Sequence, residues 1–493
     1  MKTYISVYLG SAFLALVATP VVIWLARRIG AMDHPGVRSI HKKPVPRIGG
    51  AAIFVSSMCL ILCVLFVRND TGETFRDTRL QLATLLGSAG FVFLVGLVDD
   101  LRGLPARFKF LAELAAAGAL CLAGVRIDDI GITEHAAISL DWLGCPLTLL
   151  WVVGITNAIN LSDGLDGLAA GISAIASAVI AILAIYSGNV IMAVFALALA
   201  GSLSGFLVFN FHPAKIFMGD CGSLFLGFII AASSVMCMTK STAIVGLTLP
   251  ALALGIPIFD TLFSMLRRFL ERRSLFAPDR SHFHHRLLDM GFHQRHAVMI
   301  VYVLTLLSSG LGLLMIVTRD IGALIVFGGI LLLLLAAFRV VGAVRLRETL
   351  ARLQKRYKFS RQQRVQRTAF EHVQLRFQQV HDIGQWWQAI CEAASQMGFA
   401  WVSLTRTRGD GRAETEFWQA PETKPTASRI LRMTVPYGNA QGKTRQEFEI
   451  AICVDDSLED ACRRASLFSR LIDTHDATEI ALAAELAAEN AAR

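Results

Sequence analysis

Apolar runs of roughly 17–22 residues, long enough to cross a hydrocarbon core of ~30 Å as a helix, alternate with short polar stretches up to about Val344. Eleven spans are predicted: 4–25, 49–67, 80–98, 107–124, 142–158, 167–186, 189–208, 222–238, 243–264, 297–317 and 321–344. The first run has no small-residue cleavage site and continues into Trp24, Arg27 and Arg28, so it reads as a retained span. From Arg345 the pattern changes. Residues 345–376 hold ten Lys or Arg and only Glu348 and Glu371 as acids, with Leu346, Leu350 and Leu353 at helical spacing. This predicts a basic amphipathic connector helix on an anionic leaflet, or a plain solvated connector. Alternation through 400–404, 415–418, 430–435 and 448–454 then predicts four strands. Gly409, Asp410 and Gly411 turn the first pair, and a helix starts near Leu458. The expected fold is an all-α polytopic membrane protein of about 11 transmembrane helices with a C-terminal cytoplasmic α/β domain. Its parts are a membrane domain over 1–344, a connector over 345–376 and a small soluble domain over 377–493, to which no role attaches.

Composition agrees with a membrane class. The 493 residues are 54% hydrophobic, mean hydropathy is +0.54, and 17% are charged where a soluble chain carries about 25%. The nine cysteines are scattered and odd in number, which argues against a disulfide framework or a thiolate zinc site. Orientation follows from the loops. Seventeen Lys and Arg lie in one set and seven in the opposite set with the N-terminus, so the first set is expected to be cytoplasmic. The formal charge of +9 is then a signature of the inner leaflet and its anionic lipids, not of nucleic acid.

Four carboxylate-bearing segments fall in that cytoplasmic set, each at the edge of an apolar run, where acids are costly and therefore functional by default. Asp99 and Asp100 end the third span; adjacent carboxylates ionise together only near a cation or water, although helix-end solvation explains such a pair equally well. Residues 157–167 contain Asn157, Asn160, Asp163, Gly164, Leu165, Asp166 and Gly167. Their glycines permit close backbone approach to a ligand, and Asp163 and Asp166 share a face if the next helix begins there. A simple N-cap does not need two Asn and two Asp. Asp220, after Gly219 at a helix start, is placed to hold Mg²⁺, which prefers oxygen ligands. Phe217 beside it is placed to stack on a base, or to anchor at the interface. Residues 279–286 contain Asp279, Arg280, His282, His284, His285 and Arg286. With no cysteine near and arginines flanking, phosphate binding fits better than zinc. The Pro-rich basic loop with His41, Lys42, Arg47, Gly49 and Gly50 gains meaning only beside the others.

Together these strings resemble the polyprenyl-phosphate N-acetylhexosamine-1-phosphate transferases, over roughly residues 1–340. The match rests on His41 and Lys42 through Gly50, on Val98 to Asp100, on 157–169, on 213–223 and on 279–292. The resemblance implies transfer of a UDP-linked N-acetylhexosamine 1-phosphate, GlcNAc-1-phosphate above all, to undecaprenyl phosphate with release of UMP, at a bacterial plasma membrane. It implies Mg²⁺, with Mn²⁺ as an alternative, held by Asp220 and Asp163. By the same resemblance Asp99 and Asp100 receive the lipid phosphate, and Asn157, Asn160, Asp163 and Asp166 form the nucleotide and diphosphate wall. Phe217, Gly164, Leu165 and Asn210 resemble the uracil pocket. Arg280, His282, His284 and His285 meet the diphosphate or sugar, and Lys42 matches the rim. A homodimer is left open.

The MurNAc-pentapeptide translocase branch carries a Thr-rich string where this chain has Pro46, Arg47 and Ile48, and three consecutive histidines where this chain has Phe283 between His282 and His284. The GlcNAc-type branch fits better. The rival readings are a carboxylate-based transporter or channel and an inactive scaffold homologue. Transporter acids lie near the bilayer midplane in repeated halves, whereas these acids lie at one face and no internal repeat is visible.

Overall fold

A computed structural model describes residues 2–35, 43–66, 79–133, 136–238, 249–271, 282–341, 373–377, 380, 382–407, 413–421, 429–437, 445–454 and 458–475. The chain divides into two compact units, Met1–Thr349 and Leu350–Arg493. The expected connector over 345–376 lies outside the described residues save for its last four.

In the first unit, α1 (Lys2–Ile29) leads through a ribbon of β1 (Met32–Asp33) and β2 (Val45–Pro46) to α2 (Gly50–Phe66). Then come α3 (Arg79–Arg102), α4 (Ala106–Leu122) and a hairpin of β3 (Asp129–Thr133) and β4 (Ala136–Ser139). The bundle continues with α5 (Gly144–Ser162), α6 (Leu168–Tyr186), α7 (Val190–Asn210), α8 (Gly219–Met238), α9 (Gly255–Leu270), the short α10 (Phe283–Asp289) and α11 (Gln294–Val340).

Packing grades these helices from centre to rim. α8 is buried over nearly its whole length, whereas α1 is mostly exposed. α8 is therefore the hub, packed against α3 and α5. The outer faces carry large apolar side chains such as Phe13, Trp24, Phe91 and Leu114. A soluble protein rarely exposes apolar surface this continuous, and lipid removes the cost. The unit is a multi-pass membrane bundle.

The span count differs from the sequence expectation. Among the described residues seven helices are long and apolar enough to cross a membrane, and Gly50–Leu65 and Ile325–Val340 are shorter apolar stretches. Part of the expected ninth span, 243–248, lies outside the described residues. The expected tenth and eleventh spans belong to one unbroken helix, α11, of 47 residues, roughly 70 Å at 1.5 Å per residue. Arg319 and Asp320 read as a loop by their charge. A charged pair does not break a helix, however; proline does, and α11 contains none. The side on which the tail emerges consequently no longer follows from counting spans.

The second unit has α12 (Ile383–Gln396), strands β5 (Phe399–Thr407), β6 (Ala413–Gln419), β7 (Arg429–Tyr437) and β8 (Arg445–Val454), and α13 (Leu458–Thr474). The four expected strands are all present. They pair antiparallel throughout, in the order β6-β5-β8-β7. The turn expected at 409–411 lies outside the described residues. Alternate strand residues such as Val402, Leu404, Phe448 and Ile450 form a core with Trp386 of α12 and Phe468 of α13. The period of two in the sequence is this one-sided burial.

Candidate active site

The polar helix ends of the first unit meet at one end of the bundle. α3 ends there with Asp99 and Asp100, and α4 starts there with Lys109. α5 ends there with Asn160 and α7 with Asn210; α8 starts there with Asp220. Close approach makes the meeting possible. A Cβ added to Gly96 would stand 2.6 Å from both the Asp220 carbonyl oxygen and Cys221 Cα, so only glycine lets α3 and α8 touch backbone to backbone beside the acids.

Asp99 and Asp100, adjacent in sequence, do different work. Asp100 is buried and turned into the bundle. Its Oδ1 accepts from the Asp220 amide at 3.0 Å and its Oδ2 from the Cys221 amide at 2.9 Å. These amides start α8, where helices lack internal acceptors. Arg47 Nη2 adds a contact of 3.2 Å to the same carboxylate. Asp99 faces the other way: it accepts from the Leu104 amide and lies 2.9 Å from Lys109 Nζ. That ammonium also lies 2.6 Å from Asp220 Oδ2. Asn160 Nδ2 donates to Asp220 Oδ1 at 3.2 Å and to Ser223 Oγ at 2.8 Å.

Asp163 and Asp166 do not share a helix face as expected. α5 stops at Ser162, Asp163 is its C-cap, and α6 begins only after the left-handed Gly167 (φ 77°). Both acids lie in the turn between helices, which presents them to the cavity. Burial, then the neighbouring Asp220, Asp100 and Asp166, push the Asp163 carboxyl up to about 8. Asp166 Oδ2 pairs with His212 Nδ1 at 2.7 Å and accepts from the Ala214 amide at 3.1 Å. α11 holds this region from outside: Tyr302 Oη donates to the Gly167 carbonyl and Arg295 Nε to the His212 carbonyl.

A cavity of about 810 Å³ adjoins these groups. Its walls include Asp100, Asp163, Gly164, Leu165, Asp166, Asn210, Phe217, Asp220 and His285, all expected. Asp33, Lys43, Arg47, His212 and Gln294 line it as well. Phe217 is pinned by its backbone: its amide donates to the Pro46 carbonyl at 2.7 Å and its carbonyl accepts from the Gly49 amide at 2.9 Å. The basic loop before α2 is thus built into the wall. Asn210 spends its amide on the Ile216 carbonyl, 2.9 Å away, which shapes the turn carrying Phe217.

Other expected residues stand back from the cavity lining. Asp99 and Asn160 reach it through Lys109 and Asp220. Asn157 donates instead to the buried Glu113 and to the Val153 carbonyl. His282 and His284 are buried; burial, then His285 and His282, hold the His284 imidazole well below its usual range. Lys42 and Arg280 lie outside the described residues. Sequence reasoning counted Lys109 only as an orienting charge and passed over His212, Asp260, Tyr302 and Glu113. The one signal for Lys109 and Glu113 was a charge inside an apolar run.

Comparisons with known proteins point to one family. Residues 82–238 match glycosyl transferase family 4, and that stretch holds every acid of the cluster. A probable undecaprenyl-phosphate N-acetylglucosaminyl 1-phosphate transferase of Bacillus subtilis is 41% identical over 305 residues, covering 61% of this chain and 82% of that protein. A decaprenyl-phosphate N-acetylglucosaminephosphotransferase of Mycolicibacterium smegmatis is 35% identical over 317 residues, 60% of this chain and 78% of the relative. A phospho-N-acetylmuramoyl-pentapeptide-transferase of Desulforudis audaxviator is 32% identical over 336 residues, 62% and 96% of the two chains. The chain belongs to glycosyl transferase family 4, the polyprenyl-phosphate N-acetylhexosamine-1-phosphate transferases.

Proposed function

We propose that the chain transfers N-acetylglucosamine 1-phosphate from UDP-N-acetylglucosamine to undecaprenyl phosphate, releasing UMP and starting a lipid-linked surface glycan. One observation carries the reading: five carboxylates, Asp99, Asp100, Asp163, Asp166 and Asp220, gather with Lys109 and Arg47 beside a cavity at one end of an apolar bundle. A lipid phosphate and a water-soluble nucleotide sugar can meet only at such an end. In the reaction an oxygen of the lipid phosphate attacks the β-phosphorus of the donor. One P–O bond forms there, the P–O bond to UMP breaks, and UMP leaves with the electron pair.

The donor set suits Mg²⁺. The acids outnumber the basic groups among them, and the carboxyl of Asp163 is pushed up to about 8 by burial and by the three acids that face it, a surplus that a hard divalent cation relieves. Asp220 and Asp163 would hold it, and when bound it spreads the charge developing on the diphosphate. Lys109 holds Asp99 and Asp220 together and offers a positive charge to a phosphate. Phe217 offers a ring face to the base, with the Gly164 and Leu165 backbone as the adjoining wall. His285, at the cavity, contacts the diphosphate or sugar. The excess of Lys and Arg in the loops at this end, with Arg319 set aside as part of α11, supports a cytoplasmic location at a bacterial plasma membrane.

The test is direct. Purified protein with UDP-N-acetylglucosamine, undecaprenyl phosphate and Mg²⁺ should release UMP in step with a lipid-linked sugar. Absence of UMP with every UDP-N-acetylhexosamine would overturn the reading. A transporter would instead move a solute in vesicles without consuming nucleotide sugar; the acids at one end of the bundle, away from a midplane, disfavour it.

A further inference from the structure

Asp260 sits in α9, nearly three turns before its end, and is 6% exposed. It is not among the residues that line the cavity described above, and both of its oxygens are committed. Oδ1 accepts from the Phe283 amide at 2.8 Å, and Oδ2 lies 3.0 Å from His282 Nδ1. His282 is itself 5% exposed. A carboxylate oxygen accepts hydrogen bonds, so Nδ1 of His282 is the donor of this pair. The same carboxylate thereby selects the tautomer of His282, fixes its ring plane and anchors the first turn of α10.

The next histidines depend on that anchor. The rings of His282 and His284 lie parallel within 4°, 5.8 Å between centroids, and His284 and His285 lie 4.4 Å apart. His284 reaches the turn at 163–167 so closely that a Cβ on Gly164 would stand 2.6 Å from its Nε2. His285 lines the cavity. A chain of contact thus runs from α9 through three imidazoles to the turn that presents Asp163 and Asp166.

We propose that Asp260 is a positioning residue of the transfer reaction: it orients His282 and the start of α10, and through them seats His284 and His285 against the acid-bearing turn. This rests on the transferase reading above. Such outer carboxylates commonly fix the tautomer and direction of a working histidine. Asp260 is not part of the lining of that cavity and acts through its neighbour.

The amide variant isolates the role. In Asp260→Asn the side-chain oxygen still accepts from the Phe283 amide, so α10 keeps its start. The new NH₂ faces His282 Nδ1 and forces the other tautomer. We expect kcat for UMP release to fall roughly ten- to hundredfold, with KM little changed and the thermal midpoint in detergent near that of the wild type. Asp260→Ala should lower both. Because Asp260 works through His282, adding Asp260→Asn to His282→Gln should cost nothing beyond His282→Gln alone. An Asp260→Asn enzyme near the wild-type rate, or a double variant whose loss is the product of the single losses, would overturn the proposal. A wild-type chain that releases no UMP would count against the transferase reading alone. The pairing is then decided by thermal midpoints: non-additive shifts for Asp260→Ala and His282→Gln support it, and additive shifts overturn it.

Discussion

Lys109 Nζ lies 2.6 Å from Asp220 Oδ2, joining the start of α4 to the start of α8 across 111 positions of sequence. The same ammonium lies 2.9 Å from Asp99, so a single positive charge closes the gap between two acids that would otherwise repel. If Asp220 is a cation ligand and Lys109 its counter-charge, Asp220→Asn and Lys109→Ala should each lower UMP release by roughly 10²–10³-fold in protein that still folds. A chelator should stop wild-type release, and Mg²⁺ or Mn²⁺ should restore it. Undiminished release by Asp220→Asn removes Asp220 from that role.

Asp100 supplies a different test, because its oxygens are taken by the first amides of α8 and by Arg47. Asp100→Ala leaves those buried donors without an acceptor, a cost of about 1–3 kcal/mol. Asp100→Asn keeps one acceptor and should lose less. Thermal unfolding in detergent should rank wild type above Asn above Ala; equal midpoints for Ala and wild type would contradict the anchoring role.

Tyr302 rests on Gly171, where an added Cβ would stand 1.9 Å from its Oη and 2.1 Å from its Cζ. A rigid phenol cannot bend away. Gly171→Ala should therefore displace Tyr302 from the Gly167 carbonyl and destabilise the protein by about 1–3 kcal/mol. Tyr302→Phe removes one hydrogen bond, about 1 kcal/mol. The larger fall in thermal midpoint should belong to Gly171→Ala.

α4 begins at the acid cluster and α5 ends there, so the hairpin between them lies at their far ends. The 17 residues of α4 span about 25 Å, close to a hydrocarbon core. A cysteine replacing Asp129 in a cysteine-less chain should therefore be labelled from the face opposite to one replacing Lys43 or Lys215. Labelling of all three from one face would refute the arrangement.

Every expected motif lies before Thr349, where the first compact unit ends. A chain ending there should retain UMP release. A well-expressed, folded truncation with no activity on a donor that the full chain uses would make the second unit part of the catalytic machinery.

Hydropathy and charge are local properties, and what they govern was legible in the sequence alone. The apolar helices, the four strands of the second unit and the polar segments of the cavity wall could all be read this way, because burial in lipid or in a sheet imposes its period on neighbouring residues. The length of α11 could not: Arg319 and Asp320 look like a loop, but helical hydrogen bonding tolerates them. Nor could the partners of the acids. That Asp100 anchors α8 while Asp99 meets Lys109, that Asp163 and Asp166 sit in a turn, and that Asp260 holds His282 from 22 residues away are consequences of which helix ends pack together. Packing at Gly96 brings α3 and α8 within backbone contact, and no sequence period encodes that distance. Only the tertiary structure decided it, because a carboxylate chooses its partner by proximity in space.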